Sequence, residues 1–160
     1  MKFIQSRNIR QYKCLTTGLM ADFGESFKET MKMWCKCVDD GKFWEVWLIK
    51  NDKKETIGVC GLYSLDFDTK ELWLGWLGIL PQHRNKGEGK EVMKFLCSIA
   101  KEAGCKKINS YVNKEGKPLS FYYREGFTRI GSVKEYLKKK RIKFNDNFED
   151  IEDHVITKKL

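Results

Sequence analysis

The chain has only two prolines, and no stretch rich in proline, glycine or serine interrupts its 160 residues. It therefore lacks the composition of a linker or of a disordered protein. Its apolar residues (41%) and charged residues (33%) are balanced as in a soluble globular fold. This length allows one compact core and is short for two, so we expect a single domain over residues 1–160.

Long apolar runs are missing as well. A membrane helix needs about 18 consecutive apolar residues, and no stretch of the sequence approaches that length. The N-terminal segment MKFIQSRNIRQ lacks the apolar block of a signal peptide. We therefore expect a cytoplasmic protein with no membrane partner.

The six cysteines include no C-x-x-C pair, and only Cys35 and Cys37 lie close together in the sequence. Neither of the two histidines is near them. We therefore expect no metal site. In a reducing compartment such cysteines are small apolar residues or spare thiols.

Acidic residues are outnumbered, since 31 Lys and Arg face 22 Asp and Glu and leave a net charge of +9. This bias favours an anionic partner, either a nucleic acid or a phosphorylated small molecule, and does not choose between them. The basic residues are scattered, and no nucleic-acid-binding signature appears. We therefore expect no nucleic-acid partner, although a basic nucleic-acid-binding module stays an alternative.

Hydrophobic periodicity predicts a mixed sheet with helices packed on it. The second and third strands are expected to form a hairpin. The predicted strands cover residues 2–9, 43–50, 56–65, 70–80, 106–112, 127–137 and 154–160, and the predicted helices cover residues 25–41, 90–104 and 118–126.

The stretch ILPQHRNKGEGK (79–90) predicts an anion site. Pro81 ends a strand, and a helix begins near Gly89, so backbone N–H groups and the positive end of the helix dipole point to one place. Gly87 and Gly89 let the backbone approach phosphate oxygens. Three basic side chains add positive charge around the loop: Arg84, Lys86 and Lys90.

Spacing excludes two well-known phosphate loops. The P-loop pattern would need Gly and Ser or Thr where Arg84 and Glu91 stand, and Val92 replaces the third glycine of the dinucleotide fingerprint. What remains, R-x-x-G-x-G, is a short pattern that a flexible turn before a helix also explains.

The preceding strand, WLGWLGIL (73–80), contains two glycines among bulky residues. Gly75 and Gly78 predict a bulge or a close backbone approach. An extended molecule with amide groups and a pyrophosphate end would pair with this strand and place its phosphates in the loop. Coenzyme A has that shape.

Together with SFYYREGF (120–127), these motifs resemble the GNAT (Gcn5-related N-acetyltransferase) family. The first is similar to the family's acetyl-CoA loop and the second to its aromatic-Tyr-x-x-x-Gly-Phe run. The resemblance implies an α/β (α+β mixed) fold with a mostly antiparallel sheet of about seven strands and flanking helices. It also implies transfer of an acetyl group from acetyl-CoA to a primary amine, by direct attack in a ternary complex.

The resemblance implies a binding site for acetyl-CoA as well. The backbone of Leu77, Gly78 and Ile79 would meet the pantetheine arm. Asn113 would be a further contact, although it lies two residues before the family's asparagine position, which Glu115 occupies here. Glu88 occupies a loop position that is usually apolar in the family, and its side chain is expected to point to solvent. The amides that would bind the pyrophosphate belong to Arg84, Asn85, Lys86, Gly87, Glu88, Gly89 and Lys90.

For catalysis, the resemblance implies that Tyr122 is the general acid for the departing thiolate. The alternative is that Tyr122 only fills the core with Phe121. Glu71 is a possible base that would act through a water, and the alternative is a surface carboxylate at a strand start. Attack by a neutral amine needs mainly alignment and polarisation of the carbonyl.

The acceptor side is expected to contain the aromatic residues Trp34, Trp73 and Tyr136, which would contact the amine. Acidic residues between 146 and 153 would attract a polyamine, an aminoglycoside or a basic peptide. The alternative is an aromatic core beside a solvated acidic loop. A homodimer is compatible with the sequence, and a catalytically silent acyl-CoA-binding sensor stays a second alternative function.

Overall fold

The computed structural model describes residues 1–5, 15, 18, 19, 44–64, 70–113, 118–140 and 153–160. In these residues one seven-stranded sheet is flanked by three helices of seven residues or more. The strands are β1 (Lys2–Gln5), β2 (Trp44–Lys50), β3 (Thr56–Tyr63), β4 (Glu71–Ile79), β5 (Lys107–Asn113), β6 (Thr128–Ser132) and β7 (Asp153–Lys159). The helices are α1 (Glu88–Glu102), α2 (Pro118–Arg124) and α3 (Val133–Lys140), and a short 3-10 helix covers Pro81–His83.

The strand order is β1-β2-β3-β4-β5-β7-β6. Neighbouring strands are antiparallel except β4 and β5, which are parallel. The predicted hairpin is β2 and β3, whose turn is closed by a hydrogen bond from the Asn51 amide to the Glu55 carbonyl (3.1 Å). The predicted mixed, mostly antiparallel sheet of seven strands is therefore confirmed.

Helices α1 and α2 cover one face of the sheet, which we call the α1 face. Helix α1 is amphipathic and buries one stripe against the strands, as the 3.6-residue period of its apolar residues predicts. It ends before Gly104, which has a φ of +75°. The residues that form the core on this face include Leu72, Leu74, Val92, Leu96, Ile108, Val112, Tyr122 and Ile156.

Helix α3 packs on the opposite face, which we call the α3 face. Val133 and Leu137 of the helix contact Trp73 and Val155 of the sheet. Further along the same face, Leu15 and Leu19 pack on Val46, Leu48, Val59 and Leu80 in a separate cluster.

The prediction of a strand over residues 127–137 is wrong in its second half. Strand β6 ends at Ser132, and a helix begins at Val133. The Ser132 hydroxyl accepts a hydrogen bond from the Glu135 amide (3.2 Å), and the Glu135 carboxylate accepts one from the Ser132 amide (3.0 Å). This is a capping box, and the sequence SVKE contains its signal.

Two other predicted elements fall wholly or partly outside the described residues. The helix predicted over 25–41 is wholly outside them, and the strand predicted over 2–9 is described only as far as Gln5. None of the helices in the described ranges has the length and the apolar composition that a membrane span requires.

Candidate active site

A bulge interrupts β4 at the position of the two strand glycines. Leu74 pairs with Leu62 and Leu77 pairs with Cys60, so Gly75 and Trp76 together lie opposite a single residue of β3. A bulge of this kind bends the strand and increases its twist. The bulge that Gly75 predicted is confirmed.

Strands β4 and β5 separate near the bulge. Their parallel pairing runs from Glu71 and Lys107 to Trp73 and Asn109, where it ends. Beyond this point β4 continues to Ile79 along β3, and β5 continues to Asn113 along β7. The two strands thus form a cleft, with one edge of β4 facing one edge of β5.

The loop after β4 is tied to the end of that strand. The Leu80 amide donates a hydrogen bond to the Ile57 carbonyl (2.8 Å), and Arg84 Nε donates one to the Ile79 carbonyl (2.6 Å). Asn85 has a φ of +63°, and Gly87, the N-cap of α1, has a φ of +93°. The left-handed backbone at Gly87 is one that glycine adopts without strain.

Several consecutive amides of this loop are without a hydrogen-bond partner among the described residues. The first hydrogen bonds at the start of α1 are those from Lys90 and Glu91 to the Gly87 carbonyl (3.0 and 3.3 Å). Within the described residues, the amides from Asn85 to Gly89 have no hydrogen-bond partner. They lie at the positive end of the α1 dipole, which is the arrangement that binds anions in proteins.

The carboxylate of Glu88 lies differently from the sequence expectation. Its Oε2 is buried and has no hydrogen-bond partner in the described part of the chain. The expectation that this side chain points to solvent is therefore wrong. As the first residue of α1, Glu88 interacts favourably with the helix dipole, which accounts for an acidic residue here.

The two sequence motifs meet at Gly89. A Cβ built on this glycine would lie 3.1 Å from Cε2 of Phe121, which is in α2. Such a distance is tighter than ordinary van der Waals contact, so glycine allows α2 to pack closely on the start of α1.

Tyr122 is buried on the α1 face, in the core cluster with Phe127. Burial raises the pKa of its phenol to about 12, and a hydrogen bond with Ser110 acts in the opposite direction. Ser110 is the first residue of β5 beyond the last pair with β4. The Tyr122 hydroxyl therefore lies in the core and beside the beginning of the cleft.

Glu71 is not a surface residue, so that interpretation of the sequence is wrong. It is only 8% exposed, and its Oε1 lies 2.8 Å from Lys107 Nζ and 2.7 Å from Lys140 Nζ. Its Oε2 accepts hydrogen bonds from the Tyr136 hydroxyl and from Asn109 Nδ2 (3.0 Å). The carboxylate therefore joins β4, β5 and α3.

These contacts determine the protonation of Glu71. Burial by itself would raise its pKa, but hydrogen bonds from Lys107, Lys140 and Tyr136 together outweigh burial and hold the pKa down at about 2. Burial and the adjacent carboxylate raise the pKa of Tyr136. Near neutral pH the pair is a carboxylate and a neutral phenol.

The predicted acceptor residues are distributed as follows. Trp73 is 3% exposed, with its ring 5.2 Å from that of Tyr136 in an edge-to-face contact, so it forms part of the core on the α3 face. Tyr136 is partly buried against the same core. Asn113 ends β5 and pairs with Asp153. Trp34 lies outside the described residues.

Sequence reasoning missed several residues around the cleft. The strand predicted over residues 106–112 contains a usable signal, because strand alternation puts Asn109 and Tyr111 on one face and Ser110 on the other. Nothing local indicated that Lys107 and Lys140 would converge on Glu71, because Lys140 follows Glu71 by 69 residues.

Comparison with known proteins agrees with this geometry. The sequence profile of the acetyltransferase (GNAT) family matches residues 11–127. The chain therefore belongs to the acetyltransferase (GNAT) family. No curated protein gives a significant match.

Solved structures share the fold at low sequence identity. Tetrahymena Gcn5 aligns at 14% identity over 99% of this chain and 96% of its own, with a TM-score of 0.71. A spermidine N-acetyltransferase SpeG chimera from Vibrio cholerae and hSSAT aligns at 16% identity over 99% of this chain and 96% of its own, with a TM-score of 0.72.

A third structure is N-acetylglutamate synthase from Neisseria gonorrhoeae, in complex with coenzyme A and N-acetyl-glutamate. It aligns at 14% identity over 72% of this chain, with a TM-score of 0.57, and this chain covers 25% of the synthase chain. All three likenesses show the fold, and none identifies the acceptor.

Proposed function

We propose that this protein transfers an acetyl group from acetyl-CoA to a primary amine, by direct attack of the amine in a ternary complex. The observation that supports this most is the run of amides from Asn85 to Gly89, without partners in the described residues, at the N-terminus of α1. A pyrophosphate is the anion that can accept several such hydrogen bonds at once.

The cleft between β4 and β5 suits the rest of acetyl-CoA. With the pyrophosphate at the loop, the pantetheine arm would lie along the β4 edge formed by Leu77, Gly78 and Ile79. Its amides would pair with the strand as an additional strand does. Lys86 and Lys90 are exposed on the loop and would add charge near the phosphates.

The reaction itself is a displacement at the thioester carbonyl. A neutral amine attacks the carbonyl carbon, a C–N bond forms, the C–S bond breaks, and the sulfur leaves as a thiolate. Tyr122 would donate its proton to that thiolate and recover one from solvent. Its buried phenol, with a pKa raised to about 12, keeps its proton until the thiolate forms.

We assign Glu71 a positioning role in place of the base role that the sequence suggested. A carboxylate with a pKa of about 2, held by two ammonium groups and a phenol, is a weak proton acceptor. Its contacts instead hold α3 on the sheet. The amine would lose its proton to water, and alignment in the cleft would provide the acceleration.

Isothermal titration of acetyl-CoA into the purified protein tests the proposal, with Gly87→Glu as the variant. The substitution places a carboxylate among the loop amides, and it should abolish binding. Gly104→Glu is the matched control, because Gly104 also has a positive φ and open space around it but lies at the other end of α1. Absence of binding by the wild type would overturn the proposal.

Thiol release then tests for transfer. The amines to supply are spermidine, kanamycin and a lysine-containing peptide, which represent the three acceptor classes suggested by the sequence. If the protein binds acetyl-CoA and an amine makes thiol release faster than background hydrolysis of acetyl-CoA, the result supports an acetyltransferase. Binding without release from any amine would favour an acyl-CoA-binding sensor.

A further inference from the structure

A second cavity lies at the end of α1 that is far from the glycine loop, where β5 begins and β7 ends. Its volume of about 590 Å³ is in the range of small-molecule sites. Backbone hydrogen bonds hold its walls, since the Gly104 amide donates to the Lys101 carbonyl (2.9 Å). The Leu160 amide likewise donates to the Lys106 carbonyl (3.0 Å). We call this space the lysine cavity, and the residues that line it are Lys101, Gly104, Cys105, Lys106, Lys107, Lys159 and Leu160.

The charge around the lysine cavity is positive. Four of the lining residues are lysines, and none of the described residues that line it is an aspartate or a glutamate. Lys107 has an acidic partner, because its Nζ lies 2.8 Å from Glu71 Oε1. Three lysines form no ion pair within the described ranges, and they outnumber the α-carboxylate of Leu160: Lys101, Lys106 and Lys159.

The fold accounts for some of these lysines and not for others. Lys101 lies in the last turn of α1, where a positive charge interacts favourably with the helix dipole. Lys159 pairs directly with Lys107 across β5 and β7, and like charges directly opposite each other destabilise a sheet. Lys106 and Lys159 are both exposed, so a ligand from solvent can reach them. An anion in the cavity would compensate the charges that the fold leaves unpaired.

We propose that the lysine cavity binds a small molecule that carries a phosphate or pyrophosphate group. Phosphate oxygens accept charge-assisted hydrogen bonds from ammonium groups, and the donors here are Lys101, Lys106 and Lys159. A concave site of this size encloses a small molecule, whereas a nucleic acid is bound through phosphate contacts spread along a surface. The inference does not depend on the proposed acetyl transfer.

The lysine cavity is separate from the glycine loop. Helix α1 has 15 residues, and a rise of 1.5 Å per residue puts roughly 20 Å between its two ends. A single pyrophosphate cannot contact both places. The loop would bind phosphates through backbone amides, whereas the cavity would bind them through lysine side chains. Substitutions can therefore remove one site and leave the other.

Calorimetry with inorganic pyrophosphate at low salt provides the first test, using the Gly87→Glu protein. The new carboxylate lies among the loop amides, so it should prevent pyrophosphate binding at the loop. We expect saturable binding of pyrophosphate to this protein. Adding Lys106→Gln and Lys159→Gln should weaken that binding about tenfold, because two charged donors are lost.

A matched pair of lysines controls for the loss of charge. Lys138 and Lys139 are exposed on α3, and Lys138→Gln with Lys139→Gln removes the same charge from the Gly87→Glu protein. This change should leave pyrophosphate affinity as it was. Equal losses from the two pairs would overturn the inference, because they would show a general effect of charge. Absence of pyrophosphate binding by a folded Gly87→Glu protein would overturn it as well.

Alkylation of Cys105 tests the cavity in the wild type and so does not require Gly87→Glu to fold. Cys105 lines the cavity and is partly buried. Pyrophosphate should slow its reaction with iodoacetamide about tenfold, because a bound anion would block access to the thiol. Cys97 is the internal control, since it is also partly buried but does not line the cavity. Mass spectrometry measures the labelling of each cysteine.

The outcomes separate this site from the proposed acetyl-CoA site. Saturating acetyl-CoA should leave the labelling of Cys105 unchanged. Protection by acetyl-CoA equal to that by pyrophosphate would overturn the inference, because the cavity would then belong to the acetyl-CoA site. Labelling of Cys105 that pyrophosphate does not slow would also overturn it. Protection by pyrophosphate in a protein that fails to bind acetyl-CoA would support the inference and overturn only the proposed function.

Discussion

Arg84 Nε donates a hydrogen bond of 2.6 Å to the carbonyl oxygen of Ile79. The side chain of the loop's arginine thus reaches back to the last residue of β4 and holds the loop against the strand. This contact fixes the distance between the proposed pantetheine edge and the loop amides. The sequence suggested Arg84 as a source of charge, and the structure adds this bracing role.

We predict that Arg84→Lys weakens acetyl-CoA binding about tenfold although the charge is retained, because lysine cannot reproduce the geometry of a guanidinium bond. Calorimetry at low and high salt measures the effect. The loss should persist at high salt. Wild-type affinity in Arg84→Lys would show that the bond does not shape the site.

Lys86→Met is the comparison for Arg84→Lys. The Lys86 side chain is exposed, and its Nζ lies 3.4 Å from the Gln82 carbonyl. Its contribution to acetyl-CoA binding should therefore be a screened charge interaction. The loss of affinity in this variant should diminish as salt increases.

Small substitutions at Gly87 should distinguish the effect of its backbone conformation on acetyl-CoA binding from the effect of a large side chain that blocks the loop. A Cβ at Gly87 meets nothing within 4 Å, so Gly87→Ala is strained only by its φ of +93°. We expect a loss of about 1 kcal/mol in the free energy of unfolding, together with weaker acetyl-CoA binding. Gly87→Asn should lose less, because asparagine tolerates this conformation better. Urea unfolding and calorimetry measure the two effects.

Gly104→Ala is the control for this pair, since its φ of +75° and open surroundings match those of Gly87. It should lower stability similarly and leave acetyl-CoA binding unchanged. Equal losses of affinity in Gly87→Ala and Gly104→Ala would mean that the loop amides are not the binding site.

Glu71→Gln should destabilise the protein in a manner that depends on pH. The folded-state pKa of about 2 lies below the ordinary value of 4.5, so the stabilisation is present above about pH 5 and is lost as pH falls toward 2. We expect the free energy of unfolding of the variant to be about 2 kcal/mol lower at pH 7, as for the loss of hydrogen bonds to a charged group, with a smaller difference at pH 3. Urea unfolding of both proteins at each pH measures it.

Glu91→Gln is a suitable control, because Glu91 forms an exposed ion pair with Lys94 (2.9 Å). The Glu91→Gln variant should lose no more than about 0.5 kcal/mol in the free energy of unfolding. A Glu71→Gln protein that keeps wild-type stability but loses kcat at neutral pH would contradict the positioning role and favour the base that the sequence suggested.

The features of this fold that the sequence predicts correctly are those encoded by residues close together in the chain. The hairpin of β2 and β3, the bulge at Gly75 and the glycine loop before α1 follow from a few adjacent residues, and all are present. The helix at Val133 also had a local signal, the capping box, but β-branched and aromatic residues around it favoured a strand.

The environment of Glu71 could not be predicted in the same way. Its burial depends on Lys107 in the next strand and on Lys140 and Tyr136 in a helix far along the chain. A carboxylate at a strand start is usually solvated unless such partners converge on it.

Tyr122→Phe tests the catalytic acid directly. We expect kcat to fall about 100-fold, because the thiolate loses its proton donor, while the affinity for acetyl-CoA stays the same. With a pKa raised to about 12, the Tyr122 phenol should cause no loss of wild-type kcat between about pH 6 and pH 10. Tyr123→Phe controls for the loss of a hydroxyl from the same helix. A Tyr122→Phe protein with wild-type kcat would mean that the phenol serves only the core in which it packs.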